Sequence, residues 1–240
     1  MRHFTKLLAA GAMLLGGATS ASAAATQVFA WEDSFDVCAT MNGCSVSTSG
    51  SGLYESVENY AGISDGNGNS FSGTFMRSSG MLTVRLYGLA AHDTLSLEFL
   101  LAVIDSWDGL SNDGVSPDTF TITLDGDTVF SGGFDTFDPA DQSYAGLTQL
   151  SYGSQLGFSS WADAAYDGAF TRAHSAADAT IMFIAGGAGW QGRDITDESF
   201  AIEDLKVSIA SRTTDVPEPA SLGLLGAGLA GLALARRRRR

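Results

Sequence analysis

Two acidic loops contain the side chains best suited to hold a metal ion. Asp105 and Asp108 follow a long apolar stretch, and Asp197 and Glu198 lie in a second acidic segment that ends at Asp204. Carboxylate oxygens on glycine-rich loops suit Ca²⁺, which takes about six to eight oxygen ligands in irregular geometry. Aspartates also cap and bend turns, so ordinary turn residues are the alternative. The sequence therefore predicts a calcium site at Asp105, Asp108, Asp197 and Glu198.

Aromatic side chains in predicted loops indicate a second chemistry, the stacking of sugar rings. Trp107 and Trp190 lie near the acidic residues, and Trp161 and Tyr166 fall in or beside other loops. Large aromatic side chains also fill the edges of sandwich cores, so packing is the alternative. On the binding interpretation, Trp107 and Trp190 are the ligand-stacking residues.

The motifs typical of enzymes fail on their context. Residues 62–66 satisfy G-x-S-x-G, but Asn-Gly-Asn-Ser follows where a nucleophile elbow needs a helix. Residues 187–192 fit G-x-G-x-x-G, but the acidic sequence after them provides no helix N-terminus for a phosphate. His92 and His174 are too few for a zinc site without further ligands. No catalytic residue is predicted, and the alternative is an exported jelly-roll hydrolase that cleaves glycans between two facing carboxylates.

The charge of the central body excludes a nucleic-acid partner. Between Ala24 and Asp215 the sequence has 6 basic and 26 acidic side chains, which is a formal charge of −20. A phosphate-binding surface needs clustered Lys and Arg, so this body would repel DNA and RNA. The same acidity would recruit divalent cations, which can bridge the protein to anionic polysaccharide.

Cys38 and Cys44 enclose a short polar loop and are the two cysteines of the chain. In an exported protein such a pair is expected to form a local disulfide. Because the closed loop is small, the disulfide should contribute at most roughly 3 kcal/mol.

The elements that must position these residues are strands, because apolar and polar residues alternate through the body. The alternation is clear at 82–87, 94–103 and 119–124, and Asp125-Gly126 then marks a two-residue hairpin turn. Further strands are expected at 27–31, 71–76, 180–185 and 199–209.

The last predicted strand changes the face on which its apolar residues fall. Phe200 and Ile202 occupy even positions, whereas Leu205 and the apolar residues after it occupy odd ones. A slip of one residue moves every side chain to the other face, so a regular strand would expose half of this set. We therefore expect a β-bulge, with one extra residue at Glu203-Asp204.

The number of short strands predicts an all-β fold. Strands separated by Gly- and Asp-rich turns are typical of an antiparallel β-sandwich, here of jelly-roll type over residues 24–211. The less regular stretch 134–177 is expected to contain an insertion with a short helix near Ser160–Ala165.

Both ends of the sequence contain export signals. Arg2 and Lys6 precede an apolar run from Leu7 to Ala18, and a small-residue cleavage site ends at Ala23. Residues 1–23 are therefore predicted to be a signal peptide, removed by the secretion machinery.

The segment 212–240 combines three parts in a fixed order. Val216, Pro217, Glu218 and Pro219 lead into an apolar stretch at 220–235, and five arginines follow, namely Arg236, Arg237, Arg238, Arg239 and Arg240. A helix over the apolar stretch would rise about 24 Å, which is short for a hydrocarbon core of about 30 Å. The arginines favour the cytoplasmic side, so we expect a transmembrane helix with the body outside.

This arrangement of Pro-Glu-Pro, short apolar helix and terminal arginines resembles the PEP-CTERM sorting signal of Gram-negative bacteria. The resemblance covers residues 216–240 and implies recognition by a membrane protease, the exosortase, with cleavage near Pro-Glu-Pro. It also implies transient residence in the inner membrane, followed by delivery to the cell surface or the extracellular matrix. The body is loosely similar to secreted jelly-roll domains.

The combined expectation is an exported cell-surface or matrix protein that acts by binding or adhesion. Calcium is its candidate cofactor, and a glycan or exopolysaccharide is its candidate partner. The alternative remains the secreted hydrolase, and a concave groove with two facing carboxylates would favour it.

Overall fold

The computed structural model describes residues 24–31, 43–49, 52–56, 60–72, 74–109, 117–158, 161–193, 195–211 and 235–237. The chain divides into two units, the body Ala24–Arg212 and a second unit of Met1–Ala23 with Thr213–Arg240. In the second unit the described residues are the exposed helical residues 235–237. The predicted signal peptide, the Pro-Glu-Pro motif and residues 220–234 lie outside the described part. No described helix has the length and apolar character needed to cross a membrane.

The described part of the body contains twelve strands in two antiparallel sheets. The strands are β1 (Thr26–Trp31), β2 (Cys44–Ser49), β3 (Gly52–Ser56), β4 (Thr74–Ser78), β5 (Met81–Leu86), β6 (Thr94–Ile104), β7 (Asp118–Leu124), β8 (Asp127–Gly132), β9 (Leu147–Ser154), β10 (Asp163–Ala173), β11 (Ala179–Gly187) and β12 (Ser199–Ala210). One sheet has seven strands in the order β3-β4-β12-β6-β10-β9, with β1 also paired to β12. The other has five strands in the order β2-β5-β11-β7-β8. The predicted antiparallel β-sandwich is confirmed, and the jelly-roll type stays a prediction.

The main core lies between the two sheets and is built from the alternating residues that the sequence predicts. On β6 the inward face consists of Leu95, Leu97, Phe99, Leu101 and Val103. Opposite them lie apolar residues of β7 and β11, including Phe120, Ile122, Ile181 and Phe183, all fully buried.

A second apolar cluster covers part of the outer face of the seven-stranded sheet. Leu100, Ala102 and Ile104 of β6 point away from the main core, and Tyr60, Phe71 and Phe75 pack over them. The Tyr60 and Phe75 rings meet edge to face at 5.4 Å. Therefore β6 is buried on both faces in its second half, which explains why its sequence there is almost continuously apolar.

The β-bulge in the last strand is confirmed. Glu203 of β12 lies opposite Leu100 of β6, but Lys206 lies opposite Glu98, so β12 has one residue more than its partner. Asp204 takes a positive φ of 52°, a backbone conformation that Asp and Asn adopt more readily than most residues. The extra residue brings Phe200, Ile202, Leu205, Val207 and Ile209 all to the main core.

The Asp125-Gly126 hairpin is also confirmed, because both residues have positive φ, 52° and 91°, as a type I′ turn requires. The helix expected near Ser160–Ala165 is wrong: β10 starts at Asp163, and the nearest short helical turn is Pro139–Asp141. Ala164 and Ala165 are both buried within the sheet, so strand pairing on both sides overrides a sequence that has little strand propensity.

The predicted disulfide lies at the margin of the described part. Cys44 begins β2 and is not a free thiol, whereas Cys38 falls outside the described residues. The pairing of Cys38 with Cys44 stays a prediction.

Deletion of Asp204 should destabilise the body more than any single change of side chain at that position. Without the extra residue, either the apolar residues before the bulge or those after it must turn away from the core. We expect the free energy of unfolding in urea to fall by more than about 3 kcal/mol. Asp204→Asn is the control, because Asn tolerates positive φ, and should cost less than about 1 kcal/mol. A deletion variant as stable as the wild type would contradict the role of the bulge.

Candidate metal centre

Three carboxyl groups from three separate segments meet at one place in the body. Asp108 lies in the loop after β6, Asp118 is the first residue of β7, and Glu198 directly precedes β12. One carboxylate oxygen from each lies within 4.8 Å of the others. Asp118 and Glu198 are fully buried, whereas Asp108 is half-buried. Among the described residues this is the one group of three or more such ligands that converges in this way.

The loop after β6 is fixed by a buried tryptophan. Asp105, the residue after β6, has a positive φ of 69° that turns the chain away from the strand. The fully buried Trp107 then packs into the main core, and its indole Nε1 donates to the carbonyl oxygen of Ser199 at 3.0 Å. This bond ties the loop to the start of β12, next to Glu198. The backbone N–H of Asp108 donates to Oδ2 of Asp118 at 2.8 Å, which joins the loop to β7.

Glu198 is held from the other side by the segment before β12. The backbone N–H of Gln191 donates to Oε2 of Glu198, and the Gln191 side-chain amide lies 3.4 Å from Oε1. A Cβ at Gly192 would lie 2.3 Å from the Glu198 carbonyl oxygen and 2.4 Å from the Trp190 ring. Only glycine therefore fits at this close approach of the two segments.

Burial dominates the electrostatics of the cluster. Burial is the largest of the causes that raise the pKa of Asp118 to about 6 and the pKa of Glu198 to about 8, and the charges of neighbouring carboxylates contribute to both values. The pKa of Asp108 is also raised, first by burial and then by Asp135 and Asp197. Oδ1 of Asp118 is buried and has no hydrogen-bond partner within the described part of the chain. A cation among these oxygens would offset both the burial and the repulsion.

The structure brings together only part of the predicted calcium set. Asp108 and Glu198 converge as expected, but Asp105 does not belong to the cluster. Its buried carboxylate lies 3.6 Å from the guanidinium of Arg77, and its backbone N–H donates to Asp163. Asp105 and Asp108 therefore have different partners on either side of the turn after β6, and the sequence alone could not reveal that turn.

Asp197 lies beside the cluster, and the predicted stacking residues do not form a surface platform. The Asp197 charge raises the pKa of Asp108, Asp118 and Glu198, although its carboxylate is outside the group within 4.8 Å. Trp107 is fully buried, so its proposed role as a sugar-stacking residue is wrong. Trp190 is partly buried and packs edge to face on Trp107 at 4.8 Å.

Asp118 is a ligand candidate that is not among the residues predicted from the sequence. It follows Pro117 and opens the alternating strand β7, so its position one strand after Asp108 was the available signal. The two residues are ten positions apart in the sequence and become neighbours because the chain returns to the same end of the sandwich.

Without metal, the buried Glu198 should make the body less stable as the pH rises. An unfolded Glu loses its proton near pH 4.5, whereas the folded pKa is about 8, so the folded state binds more protons between these values and stability falls. Glu198→Gln cannot ionise. In chelator it should match the wild type near pH 4.5 and exceed it at pH 8 by more than about 1 kcal/mol in urea unfolding.

The matched control for this pH experiment is Glu98→Gln, which changes an exposed glutamate on the outer face of β6. It makes the same change of side chain away from the cluster, so it measures the effect of a Glu→Gln replacement itself. A Glu198→Gln difference that is the same at both pH values would show that this carboxyl does not titrate as described.

Comparison with known proteins identifies the segment after the body. Residues 215–240 match the PEP-CTERM protein-sorting motif. No curated protein matches the chain.

Among solved structures, the catalytic domain of GH87 alpha-1,3-glucanase in complex with nigerose is 12% identical with a TM-score of 0.32, and the match covers 82% of this chain and 30% of that chain. CBM51 from Clostridium perfringens GH95 in complex with methyl-galactose is 14% identical with a TM-score of 0.31, covering 76% of this chain and 99% of that chain. The chain carries a PEP-CTERM sorting motif, which marks an exported protein processed by an exosortase.

Proposed function

We propose that this protein is a surface-sorted β-sandwich that acts by binding, and that Ca²⁺ occupies the cluster of Asp108, Asp118 and Glu198. The observation that carries the metal is the carboxyl of Asp118, which is fully buried among two other carboxyls and has no hydrogen-bond partner at Oδ1. Because the cluster exists only in the folded body, the free energy of metal binding adds directly to the free energy of unfolding.

Calcium suits this cluster better than magnesium. The three carboxylates come from a loop, a strand end and the residue before a strand, and Asp197 stands at the rim. Ca²⁺ accepts such irregular sets of about six to eight oxygens, whereas Mg²⁺ demands near-octahedral geometry at about 2.1 Å. The remaining positions would be filled by carbonyl oxygens or water.

Binding suits the cluster better than hydrolysis. Two carboxyls with different pKa values in close proximity are also typical of a glycosidase, where one acts as acid and the other as base or nucleophile. A glycosidic bond must then lie between them, but Asp118 and Glu198 are each 0% exposed. Their burial supports a structural ion, and the sorting motif supports delivery of the body to the cell surface or matrix. There, an acidic protein with bound calcium would associate with polysaccharide.

Thermal unfolding in Ca²⁺ and in chelator tests the metal. Ligand linkage predicts that millimolar Ca²⁺ raises the Tm by more than about 5 °C over EDTA. Asp118→Asn should abolish that difference because it removes the charge of one ligand. The Asn side chain still provides an acceptor for the Asp108 N–H, so the fold of the loop should be kept. Asp163→Asn is the matched control, since Asp163 is equally buried but lies outside the cluster, and it should keep the calcium difference. Identical wild-type curves in Ca²⁺ and EDTA would remove the ion from the proposal.

Replacement of Pro217, Glu218 and Pro219 by alanine tests the sorting. The exosortase should no longer recognise the chain, so full-length protein should accumulate in the inner-membrane fraction. Immunoblots of membrane, surface and medium fractions measure the distribution. Replacement of Thr213 and Thr214 by alanine is the control and should be processed normally. Normal release of the Pro-Glu-Pro variant would contradict the assignment.

A further inference from the structure

A groove of about 410 Å³ lies on the outer face of the seven-stranded sheet and shares no residue with the metal centre. Its floor is a row of cross-strand neighbours, Lys206 of β12, Glu98 of β6 and Ala169 of β10. Asp167 lies one row further along β10, on the same face. The loop 65–69 forms the wall. The second apolar cluster covers the same outer face beside the groove, at Leu100, Ala102 and Ile104 of β6.

The wall of the groove is held in one conformation by hydrogen bonds. Oδ1 of Asp65 accepts from the backbone N–H groups of Asn67, Gly68 and Asn69 at 2.6, 3.1 and 3.1 Å. Lys206 Nζ donates to Oδ1 of Asn69 at 2.7 Å, which fastens the loop to the sheet. A wall ordered before binding loses little entropy when a ligand enters.

The floor of the groove presents acceptors that the protein leaves open. Within the described part of the chain, the carboxylates of Glu98 and Asp167 make no hydrogen bond or ion pair. Burial, and then the charges of Asp65 and Glu98, raise the pKa of Asp167. Hydroxyls of a ligand can therefore donate to both carboxylates without displacing a bond within the described part of the protein.

The lining of the groove selects the class of ligand. Three carboxylates face one ammonium, that of Lys206, which also lies 3.7 Å from Asp204, so an anionic ligand would be repelled. One metal ion would not satisfy Asp65, Glu98 and Asp167, because among the described residues only the metal centre brings three such groups within 4.8 Å. The volume is that of a small-molecule site. Acceptors, amides and one ammonium around such a volume suit a ligand with many hydroxyls.

We propose that this groove binds a neutral sugar unit of a polysaccharide chain. Sugar hydroxyls donate to the carboxylates of Glu98 and Asp167 on the floor. The side-chain amide of Asn67, on the wall, forms hydrogen bonds with other hydroxyls of the sugar. The inference rests on the proposed function, whose polysaccharide partner it locates, and it is independent of the calcium ion.

Native affinity electrophoresis tests the groove with the purified protein. The protein is acidic, with a sequence pI of about 4.3, so it should migrate towards the anode in a native gel without polysaccharide. Dextran, galactomannan and xyloglucan serve as neutral probes and alginate as the anionic probe, all in EDTA so that cation bridging is absent. We expect retardation by at least one neutral probe and none by alginate. Asp167→Ala and Asn67→Ala should each weaken the apparent affinity about tenfold or more.

The control variants separate the groove from other surfaces. Asp127→Ala removes an exposed carboxylate from β8 in the other sheet, and Trp161→Ala removes an exposed aromatic that packs on Phe137; both should bind like the wild type. Asn67→Ala changes an exposed side chain and leaves the backbone bonds of the loop, so its loss of binding is not a loss of folding.

Each outcome of the electrophoresis tests either the groove or the polysaccharide partner. Equal binding by Asp167→Ala, Asn67→Ala and the wild type, or loss of binding in Trp161→Ala alone, overturns the groove but keeps the polysaccharide partner. Retardation by alginate alone also overturns the groove. Failure of the wild type to bind any neutral probe in EDTA overturns the groove. The same gels with millimolar Ca²⁺ in place of EDTA decide the calcium-assisted polysaccharide partner separately, and no retardation there overturns that partner.

Discussion

The pairing of β6 with β12, with one extra residue in β12, is the constraint on which the rest of the body depends. These two strands lie in the middle of the seven-stranded sheet, and β12 also pairs with β4 through its first half and with β1 through its second half. The extra residue lets both halves bury apolar side chains in the same core. The bulge also sets which face Lys206 occupies, and so it shapes the groove as well as the core.

The buried aspartates of the body show how neighbours decide the role of one residue type. Asp105 lies against Arg77, whose guanidinium also stacks over Phe158 at 4.2 Å and donates from Nε to Ser199. That carboxylate and the neighbouring carboxyl of Asp163 have the guanidinium of Arg77 beside them, so a cation is already present there. Asp118 is buried to the same extent, but besides the backbone N–H of Asp108 the groups that affect its pKa are carboxyls, and burial is the largest cause that raises this pKa to about 6. An unbalanced buried charge is costly, and this contrast is the reason why we propose the ion at Asp118 and not at Asp105.

Much of the fold could be predicted from the sequence because alternation and turn chemistry are local properties. The strands β5, β6, β7 and β11, the hairpin at Asp125-Gly126 and the bulge at Asp204 all follow from patterns within about a dozen residues. β10 could not be predicted, because Ala164 and Ala165 become strand residues only through their partners on β6 and β9. Only part of the candidate metal centre could be predicted, because part of it depends on contacts between distant segments. Asp108 and Glu198 are marked by loop composition, whereas the convergence of Asp118 and the departure of Asp105 depend on tertiary contacts and on one backbone angle.

The pairing of β1 with β12 has a consequence for how the body folds during secretion. Thr26 lies opposite Ile209, so the first described strand is completed by the last one. Contacts between such distant parts of a sequence form late and make folding slow. The central position of β12 is also empty until residues near 199 have arrived, which leaves β1, β4 and β6 without a common partner. A chain that crosses a membrane from its N-terminus therefore cannot complete its larger sheet during passage. Because β12 arrives late, this sheet stays unfolded until nearly the whole body has crossed.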